Sequence, residues 1–331
     1  MDNHGKIIFK CRTGSHLYGT NRPDSDEDFC GVILHTSEQL LGMQKAPGEY
    51  TENIKKSTGP RNDKGDVDCK YFYLPKFLDL AAQGQPGQLE MLFAPDNMVL
   101  VSTPEWEMIK QNINLFHAKK SIAPFIGFAL AQAHKATLKG ENLNLIQDIL
   151  QEIKPFIGTP KIHEPVESII ISQSDDEYEL NGKIKVKKTI CQDKTEVIEI
   201  AGRKFNLGLS LKRFYTVLND MEQQYGTRTR NAASHEYDFK SLGHAMRLLS
   251  EAEEYLETGF ITLPRPDTEI IKAVLTGDID LEIDWIDYIS EQITYIRQVI
   301  EPISPLPDLA DWKKINKLCI DIQSAELFKN V

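Results

Sequence analysis

The stretch from Gly14 to Val32, GSHLYGTNRPDSDEDFCGV, decides how the rest of the chain is read. It follows KIIFKCRT at residues 6–13, which reads as a strand running into a Gly-Ser turn. Such a turn lets backbone amides approach a phosphate closely, and the Ser15 hydroxyl adds a hydrogen bond. Further on, Asp26 and Asp28 flank Glu27 at the head of DFCGVIL, and a second strand is predicted over residues 26–34. On a strand, residues i and i+2 project from one face, so both carboxylates can share divalent cations there. Hard oxygen donors beside phosphate favour Mg²⁺ or Mn²⁺, and two ions roughly 3.5–4 Å apart clamp the attacking and leaving oxygens of an in-line displacement. That is the chemistry of phosphoryl or nucleotidyl transfer.

The triplet D-x-D occurs at 24/26, 26/28, 66/68 and 278/280, so by itself it discriminates nothing. The informative feature is the ordered set of strand, Gly-Ser, spacer, D-S-D-x-D and a later strand bearing another acid. Working outward, the polar segment EYTENIKKSTGPRNDKG at 49–65 reads as a mobile loop. DVDCKYFY at 66–73 reads as a third strand and residues 75–83 as a helix. These elements predict a compact α/β N-terminal domain over residues 1–115, followed by a mainly helical C-terminal domain over 116–331. Helices are expected at 121–139, 209–224, 240–258 and 281–300, the last with Ile286, Ile289, Ile293, Ile296 and Ile300 in one core-facing stripe. Residues 165–205 break the helical habit and predict a small β-rich insert.

The chain has 331 residues, 41% hydrophobic and 26% charged, which excludes disorder and fibre and suits two ordinary domains. Lys and Arg total 38 against 49 Asp and Glu, a formal charge of -11, so any nucleic-acid surface must be local. Residues 201–250 carry eight Lys/Arg against four Asp/Glu, while 251–300 carry three against twelve, which makes the first window the better candidate for phosphate contact. The five scattered cysteines contain no C-x-x-C pair and suggest neither zinc nor a disulfide framework. MDNHGKIIFKC lacks a signal-peptide core, and the run Ile122–Ala131 is too short to span a bilayer, so a reduced, cytoplasmic protein without membrane partners is expected.

The ordered motif resembles the polymerase-beta-like nucleotidyltransferase superfamily, whose signature is GS, a spacer, D-x-D and a third Asp on a neighbouring strand. More closely, G-S-x-x-Y-G-T-x-x-P-D-S-D-x-D-x-x-G-V, then D-x-D, then KFLDLAAQGQPGQLEMLF is similar to the nucleotidyltransferases associated with RNA repair, a group also found in bacteriophages. That group shows K-G-N-P where this chain has Gln83-Gly84-Gln85-Pro86, so Gln85 stands in place of the Asn. DFKSLGHAMRLLSEAEEYLETGFITLP resembles the group's H-A-x-R-L-L helix and the apolar-Pro segment after it. The likeness covers about residues 5–100 and 120–277.

The resemblance implies an α+β protein with a polymerase-beta-like palm, a mixed sheet with flanking helices. It implies metal-dependent transfer of NMP from an NTP, ATP or CTP first, to an acceptor hydroxyl. An RNA 3′ end such as that of tRNA is the first acceptor; a protein hydroxyl is the alternative, and a non-catalytic nucleotide- or RNA-binding protein is a further one. By the same likeness Gly14 and Ser15 hold the triphosphate, and Asp26 and Asp28 bind Mg²⁺ or Mn²⁺. Asp68 fits the third carboxylate because it lies within the strand with Lys70 and Phe72 on its face, with Asp66 as the fallback. Lys240, His244, Arg247 and Glu251 share a face of the 240–258 helix, and the likeness directs that face to triphosphate or acceptor. Tyr225, Arg228 and Arg230, with Lys212 and Arg213, form a basic and aromatic cluster suited to an acceptor backbone. His16 either contacts phosphate or closes the turn, Asp24 and Ser25 shape it, and Arg22 is by default an exposed loop charge. Ser121, Gln132 and Lys135 are a weaker echo of the same group.

Overall fold

The strands near the N-terminus form because short apolar, β-branched runs are bounded by turn residues. In the computed structural model, which describes residues 4–23, 25–54, 67–191, 194–224, 238–280 and 283–327, they are β1 (Ile7–Thr13), β2 (Glu27–Ile33), β3 (Glu49–Ile54), β4 (Val67–Tyr73) and β5 (Val99–Ser102). They make one mixed sheet in the order β3-β4-β2-β1-β5, in which β2 and β4 run parallel and the other pairs antiparallel. The short helix α1 (Ser15–Tyr18) leaves β1 directly, α2 (Ser37–Leu41) follows β2, and α3 (Leu74–Ala82) and α4 (Pro86–Leu92) follow β4. Phe9 of β1 stacks on Trp106 of α5 (Pro104–Gln111) at 3.8 Å between ring centroids, and both rings are buried.

Residues 49–54 correct the expected loop: they pair with β4 from Glu49↔Phe72 to Ile54↔Val67 as an edge strand. The segment is polar because only one edge is paired, while Tyr50 packs on the cluster of Ile33, Cys69, Tyr71 and Tyr73. The rest of the expected loop, with Asp66, lies outside the described residues.

The division of the chain also differs from a break near residue 115. Met1–Ala131 with Gly243–Val331 form one compact unit, and Gln132–Leu242 form another. In the first unit the C-terminal segment returns to the N-terminal one. Lys119 N donates to Pro307 O and Asp311 N to Leu115 O, both at 2.8 Å. The 281–300 stripe is buried at Ile289, Ile293, Ile296 and Ile300, so this helical surface faces the core.

The second unit contains the β-rich insert. β6 (Ile170–Gln173), β7 (Glu177–Leu180), β8 (Ile184–Ile190), β9 (Glu196–Ile200) and β10 (Arg203–Asn206) form an antiparallel meander. Its core joins Tyr178, Val186 and Ile198 to Ile146, Ile149 and Ile153 of α6 (Ile122–Ile153) and to Phe214 and Leu218 of α7 (Leu211–Gln224). Among the described residues no helix is long and apolar enough to cross a membrane.

The Gly84-Gln85-Pro86 turn acquires a physical role. Gly84 has φ +76, and a Cβ there would lie 2.4 Å from the Ser121 backbone, so only glycine fits. Pro86 occupies the first turn of α4 and Gln85 is its N-cap, with no capping bond from its side chain. Asn is among the best N-caps because its shorter side chain reaches the exposed amides of the first turn. Gln85→Asn is therefore expected to stabilise the chain by about 0.5–1 kcal/mol, read as a rise in urea midpoint at constant slope.

Candidate active site

Strand direction gathers the candidate residues. β1 is antiparallel to β2, and β4 is parallel to it, so the C-terminal end of β1 and the N-terminal ends of β2 and β4 meet at one edge of the sheet. The register aligns Thr13, Asp28 and Asp68 as Cα partners across these three strands. Partners directly opposite one another project from the same face. Asp28 and Asp68 are therefore neighbours on that face, both half-buried, with Asp26 exposed just before β2. Thr13 Oγ1 reaches Cys30 Sγ at 3.9 Å, which assigns Cys30 to this same side.

Gly14 follows Thr13 and turns the chain beside Asp28. Its φ is +65, and a Cβ added there would lie 2.9 Å from Asp28 Oδ2. Both the backbone conformation and the approach to the carboxylate demand the absence of a side chain. Ser15 opens α1, whose turn is closed by Tyr18 N to Gly14 O at 3.2 Å and Thr20 N to Ser15 O at 2.9 Å. His16 is half-buried, and its Nε2 is enclosed with no hydrogen-bond partner among the described residues. Before β2, Arg22 N donates to Ser25 Oγ at 2.8 Å and Ser25 N to Arg22 O at 3.0 Å, the turn-shaping pattern expected of Ser25. Arg22 itself is exposed, and its Nη2 donates to Leu275 O at 3.3 Å.

Arg247 corrects the expectation of a face turned to ligand. It lies in α8 (Phe239–Thr258), is 7% exposed, and donates from Nη1 to Glu90 Oε1 at 2.7 Å and to the Glu251 oxygens at 2.7 and 2.8 Å. Glu251 is wholly buried beside it, and His244 is half-buried one turn earlier. Tyr18 Oη donates to Glu90 Oε2 at 2.7 Å, and the guanidinium lies 3.8 Å from the Tyr18 ring centroid. The reason is chemical: a charge carried into an apolar core is retained only with partners. Sequence reasoning misses Tyr18 and Glu90, although Glu90 sits within Leu89–Leu92, where a lone carboxylate in an apolar run signals a buried pair.

Two carboxylates share this one guanidinium, which sets the titration of the group. Burial, opposed by Arg247 and reinforced by Glu90, pushes the Glu251 carboxyl up to about 8. Burial lowers Arg247, but attraction to Glu251, Tyr18 and Glu90 together outweighs it and leaves the guanidinium raised. Burial pushes the Tyr18 phenol up as well. For Glu251 the folded state holds a proton that the unfolded chain releases, so its contribution is complete below the ordinary carboxylate range and is lost as pH rises through about 8. Between about pH 6.5 and 8 the melting temperature is thus expected to fall, and Glu251→Gln to flatten that fall. Buried His35 and half-buried His117, both lowered by desolvation, weaken the fold toward acid and oppose this fall only at its lower end, near their ordinary value of 6.5.

Lys212 and Arg213 are exposed on α7, Lys240 and Lys135 are exposed and Gln132 half-buried in the second unit, and Ser121 is buried in the first. Asp24, Asp66, Tyr225, Arg228 and Arg230 lie outside the described residues. Among the described residues no group of three or more His, Cys, Asp or Glu is assembled to hold a metal ion.

A comparison of families finds a match over the N-terminal part of the chain. Residues 1–153 match the RlaP family, described as the RNA repair pathway DNA polymerase beta family. The RlaP match includes the whole mixed sheet, Gly14, Ser15, the three aspartates and Glu90, and ends before Arg247. An uncharacterized 38.9 kDa protein from the nrdC-mobD intergenic region of Enterobacteria phage T4 is 29% identical over 298 residues, 82% of this chain and 83% of that relative. The family is of the kind that the Gly14–Val32 motif points to, and the phage relative carries no described activity.

Proposed function

We propose that the chain is a divalent-metal-dependent nucleotidyltransferase that moves NMP from an NTP to an acceptor hydroxyl, with an RNA 3′ end as the first acceptor. The observation that carries this reading is the direct pairing of Asp28 with Asp68, with Gly14 in close approach to the Asp28 carboxylate. The RlaP match and its RNA-repair description support the same class of reaction.

The residues present suit Mg²⁺ or Mn²⁺. Their donors are hard carboxylate oxygens from Asp26, Asp28 and Asp68, and Mg²⁺ is commonly held by one or two carboxylates plus substrate phosphates rather than by a closed protein cage. A bound divalent ion supplies charge neutralisation at the triphosphate and a more acidic acceptor hydroxyl. Gly14 and Ser15 contribute the phosphate side: the turn's amides and the Ser15 hydroxyl bind the departing pyrophosphate. Asp28 and Asp68, fixed by the parallel ladder, orient the reacting centre without reorganising during the reaction. ATP and CTP are the first nucleotides to try.

The formal charge of -11 favours a second acceptor, a protein hydroxyl, which needs no long cationic groove. The test incubates the chain with Mg²⁺ and each α-labelled NTP, offering total tRNA and total protein in parallel, with Asp26→Asn/Asp28→Asn as control. Label on RNA supports the first acceptor, and label on polypeptide supports the second. NTP binding without transfer to either would leave a nucleotide-binding protein and overturn the catalytic reading.

A further inference from the structure

The turn that carries Ser15 is secured by residues far from it in sequence. Isolated helices as short as the four-residue α1 have almost no stability of their own, so tertiary contacts decide where it sits. Those contacts converge on Tyr18 and Gly19. The Tyr18 hydroxyl is bound by Glu90, and its ring lies under Arg247. The Tyr18 carbonyl accepts from Arg265 N at 3.1 Å and from Thr268 Oγ1 at 3.3 Å. A Cβ at Gly19 would lie 2.9 Å from Pro264 Cβ, so the chain after α8 packs directly on the turn.

Because Tyr18 N and Thr20 N close on the carbonyls of Gly14 and Ser15, a hold on Tyr18 is a hold on the Gly14 and Ser15 peptide planes. Arg247 is the hinge point of that hold. It is 7% exposed, is committed through Nη1 to Glu90 and Glu251, and covers the Tyr18 ring. Its planar fork can stack flat on an aromatic ring while its in-plane N–H groups meet a carboxylate, a geometry that a lysine ammonium lacks.

We propose that Arg247, acting through Glu90 and Tyr18, is a positioning residue for the Gly14-Ser15 turn: it sets where that turn stands beside Asp28 and thereby how tightly the site takes the triphosphate of an NTP. The identity of the ligand rests on the nucleotidyl-transfer reading; the mechanical coupling does not. It follows that residues 243–268, outside the RlaP match, are part of the working unit.

The test compares the full chain as wild type, Arg247→Lys and Tyr18→Phe, the second being the milder change if the first folds poorly. Hydrogen exchange is read at the amides of Tyr18, Gly19 and Thr20, and KM and kcat for ATP and CTP are read in the label-transfer assay. Arg247→Lys is expected to speed exchange at these three amides about tenfold while the β2 amides keep their protection. KM should rise about tenfold with kcat changed by less than about threefold, because ground-state and transition-state grip on the triphosphate are lost together. Tyr18→Phe should move both in the same direction by a smaller factor. A residue that only stabilised the fold would raise exchange across the sheet and lower the active fraction without moving KM. Exchange at the three amides within about twofold of wild type in both variants, or an unchanged KM in an active enzyme, overturns the proposal. If the wild type neither binds nor transfers any NTP, the nucleotidyl-transfer reading fails, and the exchange rates alone decide whether the clamp exists.

Discussion

Asp28→Asn is expected to reduce NTP-dependent labelling by about a thousandfold or more, equivalent to about 4 kcal/mol of transition-state stabilisation. The substitution keeps the shape of the side chain and removes its charge. Asp28 is half-buried, has Asp68 as its Cα partner on one side and Thr13 on the other, and closely approaches the Gly14 backbone. Its carboxylate is thus the most central of the proposed ligands, and an amide oxygen without the charge is a weak donor to a hard cation. The fold should be little affected, since a neighbouring carboxylate, Asp68, loses a like-charged partner. The measurement is kcat/KM with the melting temperature recorded alongside; a variant retaining more than about a tenth of the wild-type rate would contradict the site.

Arg247→Ala is expected to cost about 3–5 kcal/mol of stability, the range for removing one partner of a buried ion pair. The loss exceeds the value of the pair itself because Glu90, 3% exposed, is left without its cation and Glu251, 0% exposed, without its hydrogen-bond donor. The Tyr18 ring also loses the guanidinium above it. A surface pair gives the contrast: Lys314 and Asp311 meet at 2.8 Å with side chains 69% and 39% exposed, and Lys314→Ala should cost no more than about 1 kcal/mol. Urea unfolding measures both, and a loss below about 1 kcal/mol for Arg247→Ala would show that the cluster is not the closed network described.

Much of the candidate site could be read from local rules. The Gly-Ser turn after an apolar run, the alternation of Asp26 and Asp28, and the acid at the head of DVDCKYFY each depend on residues within a few positions of one another. Residues 49–54 escaped that reading because an edge strand can be polar, and its pairing with β4 is invisible until β4 is in place. The partition of the chain escaped it as well. Helical spacing correctly aligned His244, Arg247 and Glu251, but spacing carries no information about what covers a face.

The amino-acid sequence by itself determined the residues on offer: Asp26 and Asp28 two positions apart, a short spacer after a Gly-Ser pair, in a chain of formal charge -11. Tertiary structure alone decided which acid stands opposite Asp28 and what Arg247 does. The first follows from the parallel register of β2 and β4, the second from a contact between residues 157 positions apart. The physical reason is that strand and turn preferences are local energies, whereas register and burial are collective ones, set only when distant segments exclude water together.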